Sequence, residues 1–130
     1  MPGPIRLPLP FDDGVVLGSL RHAGQRADGF DAVVSLCRAP PTAYDNRIPV
    51  QDRLSVWLID QPGANQHPHF VIEEAARLVK EFRQQGKRVL LHCAAGRNRT
   101  GAVAAQYACM TSSVHPFVAF DVIESVLGSE

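Results

Sequence analysis

Apolar residues recur along this chain in two patterns, and each pattern predicts a different kind of element. Short apolar runs bounded by glycine, proline or charged residues predict β-strands. These runs lie at 15–17, 32–36, 48–50, 55–59 and 88–92. Between 69 and 85 the apolar positions instead repeat every three or four residues, which predicts an amphipathic helix that ends at Gly86.

Two further helices follow the last predicted strand. Good helix formers predict one from about 102 to 110, and apolar residues at helical spacing predict another over 116–127. Strands that alternate with helices are typical of α/β folds, so we expect one domain over 1–130 with a core at about 14–127. We expect a central, mostly parallel sheet of about four to five strands flanked by helices, after a proline-rich lead-in at 1–10.

Composition narrows the functional classes. The 130 residues carry thirteen basic and thirteen acidic side chains, a balance that argues against a general nucleic-acid or membrane-surface binder. No apolar stretch approaches the roughly 18 residues of a membrane span, and the first residues lack the pattern of a secretory leader. The three cysteines are spaced for neither a disulfide framework nor a metal pair. We therefore expect a cytoplasmic protein without cofactor or metal, and we further expect a monomer.

The densest cluster of candidate catalytic residues follows the predicted strand at 88–92. His92 and Cys93 end the apolar run, and after five intervening residues Arg99, Thr100 and Gly101 begin a predicted helix. A helix N-terminus offers unpaired backbone N–H groups to an anion, and its dipole favours a thiolate. We therefore expect the loop to bind an anion above the cysteine. The residues of this predicted anion site are Ala94, Ala95, Gly96, Arg97, Asn98 and Arg99.

Two side chains beside the cysteine suit phosphoryl chemistry. The planar fork of Arg99 can hold two oxygens of a tetrahedral anion. The hydroxyl of Thr100 can donate to the sulfur of Cys93, which eases formation of the thiolate and its later departure. A cysteine that merely fills an ordinary strand-to-helix turn would leave Arg97 and Arg99 unexplained.

The combination His-Cys-x5-Arg-Thr-Gly resembles the signature of the cysteine-dependent phosphatases, the tyrosine and dual-specificity phosphatase superfamily. The resemblance implies hydrolysis of phosphate monoesters through a phosphocysteine intermediate, without a metal ion. It also implies that His92 orders the loop and helps to hold Cys93 as a thiolate. Because the chain is short, it is most similar to a compact dual-specificity enzyme with a shallow pocket, acting on phosphorylated protein.

Such a mechanism needs an acid that protonates the leaving oxygen. Asp60 directly follows an apolar run, so we place it at the carboxyl end of a strand, on a loop that contains proline and glycine. Its spacing from Cys93 resembles that of the dual-specificity branch. Asp52 is the second candidate, although its setting favours a solvated turn residue beside Arg53.

Other residues leave the substrate and the regulation open. Arg97 resembles a loop base of phosphoinositide phosphatases, and 98–101 resembles the loop of RNA 5′-triphosphatases. Cys37 resembles the second, resolving cysteine of the lipid-phosphatase branch, or else it is a buried apolar residue. If its strand neighbours that of Cys93, a disulfide between them is feasible. The segment 44–47 either walls the pocket or forms a plain loop.

Two other functional classes share parts of this pattern. A thiol-based reductase or a rhodanese-like protein also separates cysteine and arginine by five residues, but Asp60 and Thr100 favour hydrolysis. A phosphate-binding pseudoenzyme is the other alternative, and the intact set of His92, Cys93 and Arg99 argues against it. Release of phosphate from a simple aryl phosphate without metal separates the three classes.

Overall fold

The computed structural model describes residues 4–8, 10–24, 29–56, 68–93 and 98–128, with the backbone alone for Pro68 and Asn98. Five strands form one sheet in the order β1-β2-β5-β3-β4. Only β1 runs antiparallel to its neighbour, and the other neighbours are parallel. The strands are β1 (Ile5–Arg6), β2 (Val15–Ser19), β3 (Ala32–Ser35), β4 (Arg53–Ser55) and β5 (Val89–Cys93).

Three helices pack beside this sheet, with α2 between α1 and α3. They are α1 (Pro68–Gln84), α2 (Asn98–Ser112) and α3 (Pro116–Gly128). Short 3₁₀ turns at Leu20–Gly24, Pro41–Ala43 and Val50–Asp52 join the described strands.

Helix α1 ends through a pair of backbone hydrogen bonds around Gly86. The amide of Lys87 donates to the carbonyl of Phe82 at 3.1 Å, and the amide of Gly86 donates to that of Arg83 at 3.0 Å. This is the Schellman pattern, which requires a left-handed residue between helix and loop. Gly86 supplies it with a φ of 79°, and the chain turns directly into β5.

The sheet buries apolar side chains on both faces, which is why its strands read as continuous apolar runs. Val89 and Leu91 point towards the helices, where they meet α1 and α2 in the larger core cluster. Leu90 points to the opposite face and packs with Phe30 and Ile48 in a smaller cluster. Full burial of one such side chain stabilises the fold by about 1.5–3 kcal/mol.

A polar cluster ties three distant segments together at the amino end of the parallel strands. Arg83 donates to both carboxylate oxygens of Asp12, at 2.7 and 3.0 Å. Tyr107 donates to the same carboxylate at 2.7 Å, and the amide of Gly14 donates to it at 2.9 Å. Burial raises the pKa of Asp12, but the hydrogen bonds from Arg83, Tyr107 and Gly14 outweigh that effect and lower it overall.

The architecture confirms the predicted α/β class and the mostly parallel sheet. The predicted strand at 48–50 is wrong, because these residues form a turn that leads into the 3₁₀ segment. Ile48 is buried and its backbone is satisfied locally: its amide donates to Asp45 at 3.1 Å, and its carbonyl accepts from Arg53 at 2.9 Å. Pro49 has no N–H for a sheet ladder. Ile48 is therefore apolar because it is buried beneath a loop, and not because it pairs within a strand.

Candidate active site

Strand β5 occupies the centre of the sheet and ends at the candidate nucleophile. On one side Gly18 and Ser19 of β2 lie opposite His92 and Cys93. On the other side Ser35 of β3 lies opposite His92. Ligands of parallel sheets bind beyond the carboxyl ends of the strands, so Cys93 is placed at the edge where a substrate can approach.

Helix α2 brings a hydrogen-bond donor to the sulfur of Cys93. The hydroxyl of Thr100 donates to Sγ at 3.2 Å, and both side chains are buried. The helix lies close to α3, where a Cβ at Gly101 would come within 3.2 Å of Leu127. The glycine therefore lets α2 approach α3, and this packing holds the first turn of α2 in place beneath the cysteine.

Arg99 is held by the end of β3. One terminal nitrogen of its guanidinium donates to the carbonyl of Leu36 at 3.3 Å. The amide of Leu36 in turn donates to the carbonyl of His92 at 2.8 Å. The strand that neighbours β5 thus fixes the arginine relative to the cysteine.

His92 lies wholly inside the fold, with a polar partner on either side of its ring. Its Nε2 lies 2.7 Å from Oγ of Ser35, and its Nδ1 lies 3.3 Å from the carbonyl oxygen of Cys93. The pKa of His92 is lowered to about 4, chiefly by burial; the charges of His22 and Arg99 also lower it, and the backbone bond to Cys93 partly opposes them. The imidazole is therefore neutral at physiological pH.

Several predicted site residues lie outside the described residues. They are Asp60 and the loop residues Ala94, Ala95, Gly96 and Arg97. Asn98 begins α2, and the backbone alone is described there. Their roles as general acid and as anion-binding loop stay predictions.

Asp52, the second candidate for the acid, lies at the opposite end of the sheet. It precedes β4 and is level with Val89, so it lies roughly 13 Å from Cys93 along the strand direction. It is buried, not solvated, and accepts a hydrogen bond from Lys87 at 2.6 Å. The structure thus contradicts both readings of Asp52, because the carboxylate serves as a structural ion-pair partner.

Cys37 is buried two residues after β3, and β3 is the direct neighbour of β5. Burial raises the pKa of the Cys37 thiol; the charge of Arg99 lowers it and that of Cys93 raises it. The strand order meets the condition set for a disulfide with Cys93, and the redox role itself stays a prediction.

Ser35 and Tyr44 complete the polar set behind the cysteine. The hydroxyls of the two residues are 2.8 Å apart, and Tyr44 also lines a cavity of about 550 Å³ with Thr42, Asp45 and Arg47. The sequence left 44–47 open between a pocket wall and a plain loop, and it gave Ser35 no role. A lone serine inside the apolar run 32–36 was the available signal, because a hydroxyl on a buried strand requires a hydrogen-bond partner.

No three side chains of histidine, cysteine, aspartate or glutamate in the described segments lie close enough together to hold a metal ion. None of the helices that the structure describes has the length and apolar character needed to cross a membrane.

Comparison with known proteins places this geometry in context. Residues 16–128 match the family model described as dual specificity phosphatase, catalytic domain. The chain is 27% identical over 139 residues to dual specificity protein phosphatase 2 of Mus musculus, covering 97% of this chain and 38% of the relative. It is 35% identical over 72 residues to a tyrosine-protein phosphatase of Autographa californica nuclear polyhedrosis virus, covering 54% of this chain and 43% of the relative.

A solved structure shares the fold over nearly the whole chain. The crystal structure of a variant of human DUSP28 matches with a TM-score of 0.77 at 23% identity, covering 97% of this chain and 83% of that one. By contrast, the chain spans less than half the length of the two sequence relatives.

Proposed function

Because the chain belongs to the dual specificity phosphatase catalytic-domain family, we propose that it hydrolyses phosphate monoesters with Cys93 as the nucleophile. One observation carries this proposal: the hydroxyl of Thr100, in the first turn of α2, donates to the sulfur of Cys93, and the same turn carries Arg99. A donor to sulfur, a helix N-terminus and an arginine all favour a thiolate and a bound oxyanion. An inert buried cysteine needs none of them.

The reaction has two displacements. The Cys93 thiolate attacks phosphorus, the P–S bond forms as the bond from phosphorus to the ester oxygen breaks, and Asp60 gives its proton to the leaving oxygen. Water then attacks the phosphocysteine, and Asp60 takes a proton from that water as the P–S bond breaks. The Thr100 hydroxyl supports the sulfur as it leaves with the electron pair of that bond.

Arg99 and the amides of 94–99 bind the equatorial oxygens of the phosphoryl group during both displacements. Arg99 has a planar fork that matches two of those oxygens. Its hydrogen bond to Leu36 fixes where the fork lies. The protein therefore stabilises the transferring group by charge and orientation, with Cys93 as the covalent carrier.

We assign phosphorylated tyrosine, or phosphorylated tyrosine together with serine and threonine in protein, as the substrate class. The family and the phosphatase names of both sequence relatives support this class. Phosphoinositides and RNA 5′-phosphates are the alternatives, because Arg97 adds charge to the loop. A thiolate nucleophile needs a reducing compartment, and this supports a cytoplasmic location.

The test measures the release of phosphate from p-nitrophenyl phosphate, with a chelator present to remove metal ions. We expect turnover in the wild type and a loss of at least about 10⁴-fold in Cys93→Ser, as for other covalent nucleophiles. Cys109→Ser is the matched control, since Cys109 is a partly buried cysteine on the same helix as Thr100 and touches the apolar core. It should keep the activity.

The outcomes separate the rival functions. Phosphate binding without turnover in the wild type would indicate a pseudoenzyme, and thiol-dependent reduction of a substrate would indicate a reductase. Appreciable turnover in Cys93→Ser would exclude the phosphocysteine mechanism. A panel of phosphopeptides, phosphoinositides and 5′-phosphorylated RNA, compared by kcat/KM, then decides among the substrate classes.

A further inference from the structure

The segments that follow the carboxyl ends of β2 and β3 enclose a surface cavity of about 550 Å³. The amide of Asp45 donates to the carbonyl of Ala23 at 2.9 Å, and this bond ties the two segments together. Tyr44 packs against the smaller core cluster, so the cavity lies on the face of the sheet opposite the helices. We call it the arginine cavity, and its polar and aromatic lining consists of Thr42, Tyr44, Asp45, Asn46, Arg47 and Arg53.

The exposed charge of the arginine cavity is positive. Arg47 donates to both carboxylate oxygens of Asp45, at 3.0 and 2.7 Å, so these two charges neutralise one another. The side chain of Asp45 is only 8% exposed, however, whereas that of Arg47 is 61% exposed. Arg53 adds a second cation, and no carboxylate of the described residues pairs with it. A ligand that enters the cavity therefore meets two guanidinium groups and little negative charge.

The surroundings of Arg53 hold its guanidinium in one orientation. Nε donates to the carbonyl of Ile48 at 2.9 Å, and Nη2 donates to the carbonyl of Asp45 at 3.3 Å. The group also lies over the ring of Tyr44, 5.4 Å from its centre. The two carbonyls occupy one edge of the planar fork and leave its charge uncompensated. The edge formed by Nη1 and the second proton of Nη2 matches two oxygens of a carboxylate or phosphate.

Thr42 and Asn46 bring neutral donors to the same cavity. Both residues are exposed, so a ligand can reach the hydroxyl and the amide. An apolar ligand would cover these donors and the two arginines without satisfying them, at a cost in free energy. An oxyanion with several acceptor oxygens satisfies them. The lining therefore selects a carboxylate or a phosphate group.

The sheet register gives the separation between this cavity and the candidate nucleophile. Arg53 is level with Val33 and Leu90, and β4 lies two strands away from β5. A strand spacing of about 4.8 Å and a rise of about 3.3 Å per residue place the Cα atoms of Arg53 and Cys93 roughly 14 Å apart. An extended peptide covers this distance in about four residues.

We propose that the arginine cavity binds a second negatively charged group of a protein substrate, about four residues from the phosphorylated residue that reaches Cys93. The inference rests on the proposed function and adds a sequence preference to it. The second group is an oxyanion, either the phosphate of phosphoserine or phosphothreonine or the carboxylate of an acidic residue. It takes no part in bond making at Cys93, so it should lower KM and leave kcat nearly constant.

The first measurement needs no turnover. The protein is titrated with sodium sulfate at constant ionic strength, and the Nε–H signals of arginine side chains are followed in ¹H–¹⁵N spectra. The signal of Arg53 is identified by its loss in Arg53→Lys. We expect that signal to shift saturably in the wild type and to require a higher sulfate concentration in Arg47→Met, where the cavity has lost one positive charge. A static Arg53 signal while that of Arg99 shifts would confine anion binding to the candidate active site and overturn the proposal.

The second measurement uses neutral peptides that carry one phosphotyrosine. A second position, two to seven residues away on either side, holds glutamine, glutamate or phosphoserine. We expect kcat/KM for the phosphotyrosine to be about threefold to fivefold higher with glutamate than with glutamine at about four residues, the effect of one partly exposed ion pair. Phosphoserine should give about tenfold, because it offers more oxygens to the fork. An equal advantage at every position would indicate a diffuse field and overturn the proposal.

Variants assign the preference to the cavity. Each is scored by its own ratio of kcat/KM for the glutamate and glutamine peptides, so a general change in activity cancels. The ratio should fall to about one in Arg53→Met and in Arg47→Met. Arg77→Met, on the exposed face of α1, is the matched control and should keep the wild-type ratio. If Arg53→Met fails to fold, Arg47→Met decides, because Arg47 is exposed, and an undiminished ratio there overturns the proposal.

These readouts also separate this inference from the proposed function. The sulfate titration reports on the arginine cavity even in a protein that hydrolyses nothing. Conversely, hydrolysis of p-nitrophenyl phosphate that is lost in Cys93→Ser, together with equal kcat/KM for the glutamine and glutamate peptides, would leave the phosphatase intact and remove the second site.

Discussion

The amino and carboxyl ends of the parallel strands both bury polar side chains, yet the two ends satisfy them by different means. At the amino end opposite charges meet: Arg83 pairs with Asp12, and Lys87 pairs with Asp52. At the carboxyl end the side-chain hydrogen bonds described for His92 and Cys93 come instead from two hydroxyls and one backbone carbonyl, although the charge of Arg99 also acts on His92.

This difference indicates that the amino end contributes mainly to stability and the carboxyl end mainly to catalysis. Paired charges at the amino end neutralise one another and lock distant segments together. Neutral supports at the carboxyl end orient the cysteine without adding negative charge, so the positive field of the α2 N-terminus stays directed at a substrate. Substitutions at the amino end should therefore change the free energy of unfolding with little effect on turnover. Substitutions at the carboxyl end should change turnover, and there His92 also makes the free energy of unfolding depend on pH.

The largest expected effect contrasts two aspartates. Asp60→Asn should lower turnover on alkyl or tyrosyl phosphates by roughly 10²–10⁴-fold, the usual share of one proton-transfer group. Asp52→Asn should lower stability with little change in turnover, because Asp52 pairs with Lys87 far from Cys93. Steady-state kinetics and urea unfolding of both variants test the contrast. A larger loss of turnover in Asp52→Asn than in Asp60→Asn would break it.

The second prediction separates the two ends by pH. Burial lowers the pKa of His92 from 6.5 to about 4, so between these values the unfolded chain binds a proton that the folded protein does not. The folded state is therefore favoured by the neutral His92, and this stabilisation is fully present above pH 6.5. It is lost as the pH falls to about 4, and the total loss in the free energy of unfolding is about 3 kcal/mol. Because folding lowers the pKa of Asp12, its contribution is lost only at lower pH, below the usual aspartate range of about 3.9.

Urea unfolding at several pH values between about 4 and 7.5 measures the loss attributed to His92. His92→Gln should flatten the dependence in this window. If the free energy of unfolding depends on pH equally in the wild type and in His92→Gln, groups other than His92 cause that dependence.

The third prediction concerns the ion pair at the amino end. Arg83→Met keeps the aliphatic stem but leaves Asp12 without its cation, and should destabilise the protein by about 2–3 kcal/mol, less than a fully buried pair because both side chains reach solvent. The pKa of Asp12 should rise, so acid unfolding should begin at a higher pH. Arg77→Met on the exposed face of α1 is the control and should leave the denaturation midpoint nearly unchanged.

The smallest expected effect concerns two tyrosines, one at each end of the parallel strands. Tyr107→Phe removes one hydrogen bond to Asp12 and should cost about 1 kcal/mol of stability without changing kcat. Tyr44→Phe should lower kcat with little change in stability. Thermal unfolding and steady-state kinetics of the pair measure this crossed pattern. Turnover that falls in Tyr107→Phe as much as in Tyr44→Phe would show that the two ends are not separate.

Periodicity predicted the regular elements well where local pattern and tertiary packing agree. The helix expected at 69–85 is observed as Pro68–Gln84, because its apolar stripe faces the sheet and Gly86 ends it. Strand β1 was not expected, since two residues in a proline-rich segment carry no periodicity and gain their structure from pairing with β2. The turn at 48–50 was misassigned because a buried loop residue is as apolar as a strand residue.

The candidate site was predictable to the extent that its residues are adjacent in sequence. His92, Cys93, Arg99 and Thr100 fall in one strand–loop–helix segment, so their spacing alone indicated their chemistry. Ser35 reaches His92 only because β3 and β5 are neighbours, since the two residues are 57 positions apart in sequence. Strand order of this kind is set by long-range packing, and a local pattern does not contain it.

The central position of β5 has a consequence for how the chain folds. β2 and β3 both pair with β5 and not with each other, although β5 is the last of the five strands in the sequence. As the chain emerges from the ribosome, β1 can pair with β2 and β3 can pair with β4. The two pairs cannot join into one sheet until residues 89–93 have been synthesised, because β5 lies between them. Such late, long-range closure slows folding and exposes strand edges meanwhile. The segment that joins the halves also carries His92 and Cys93, so completion of the sheet and placement of the nucleophile are one event.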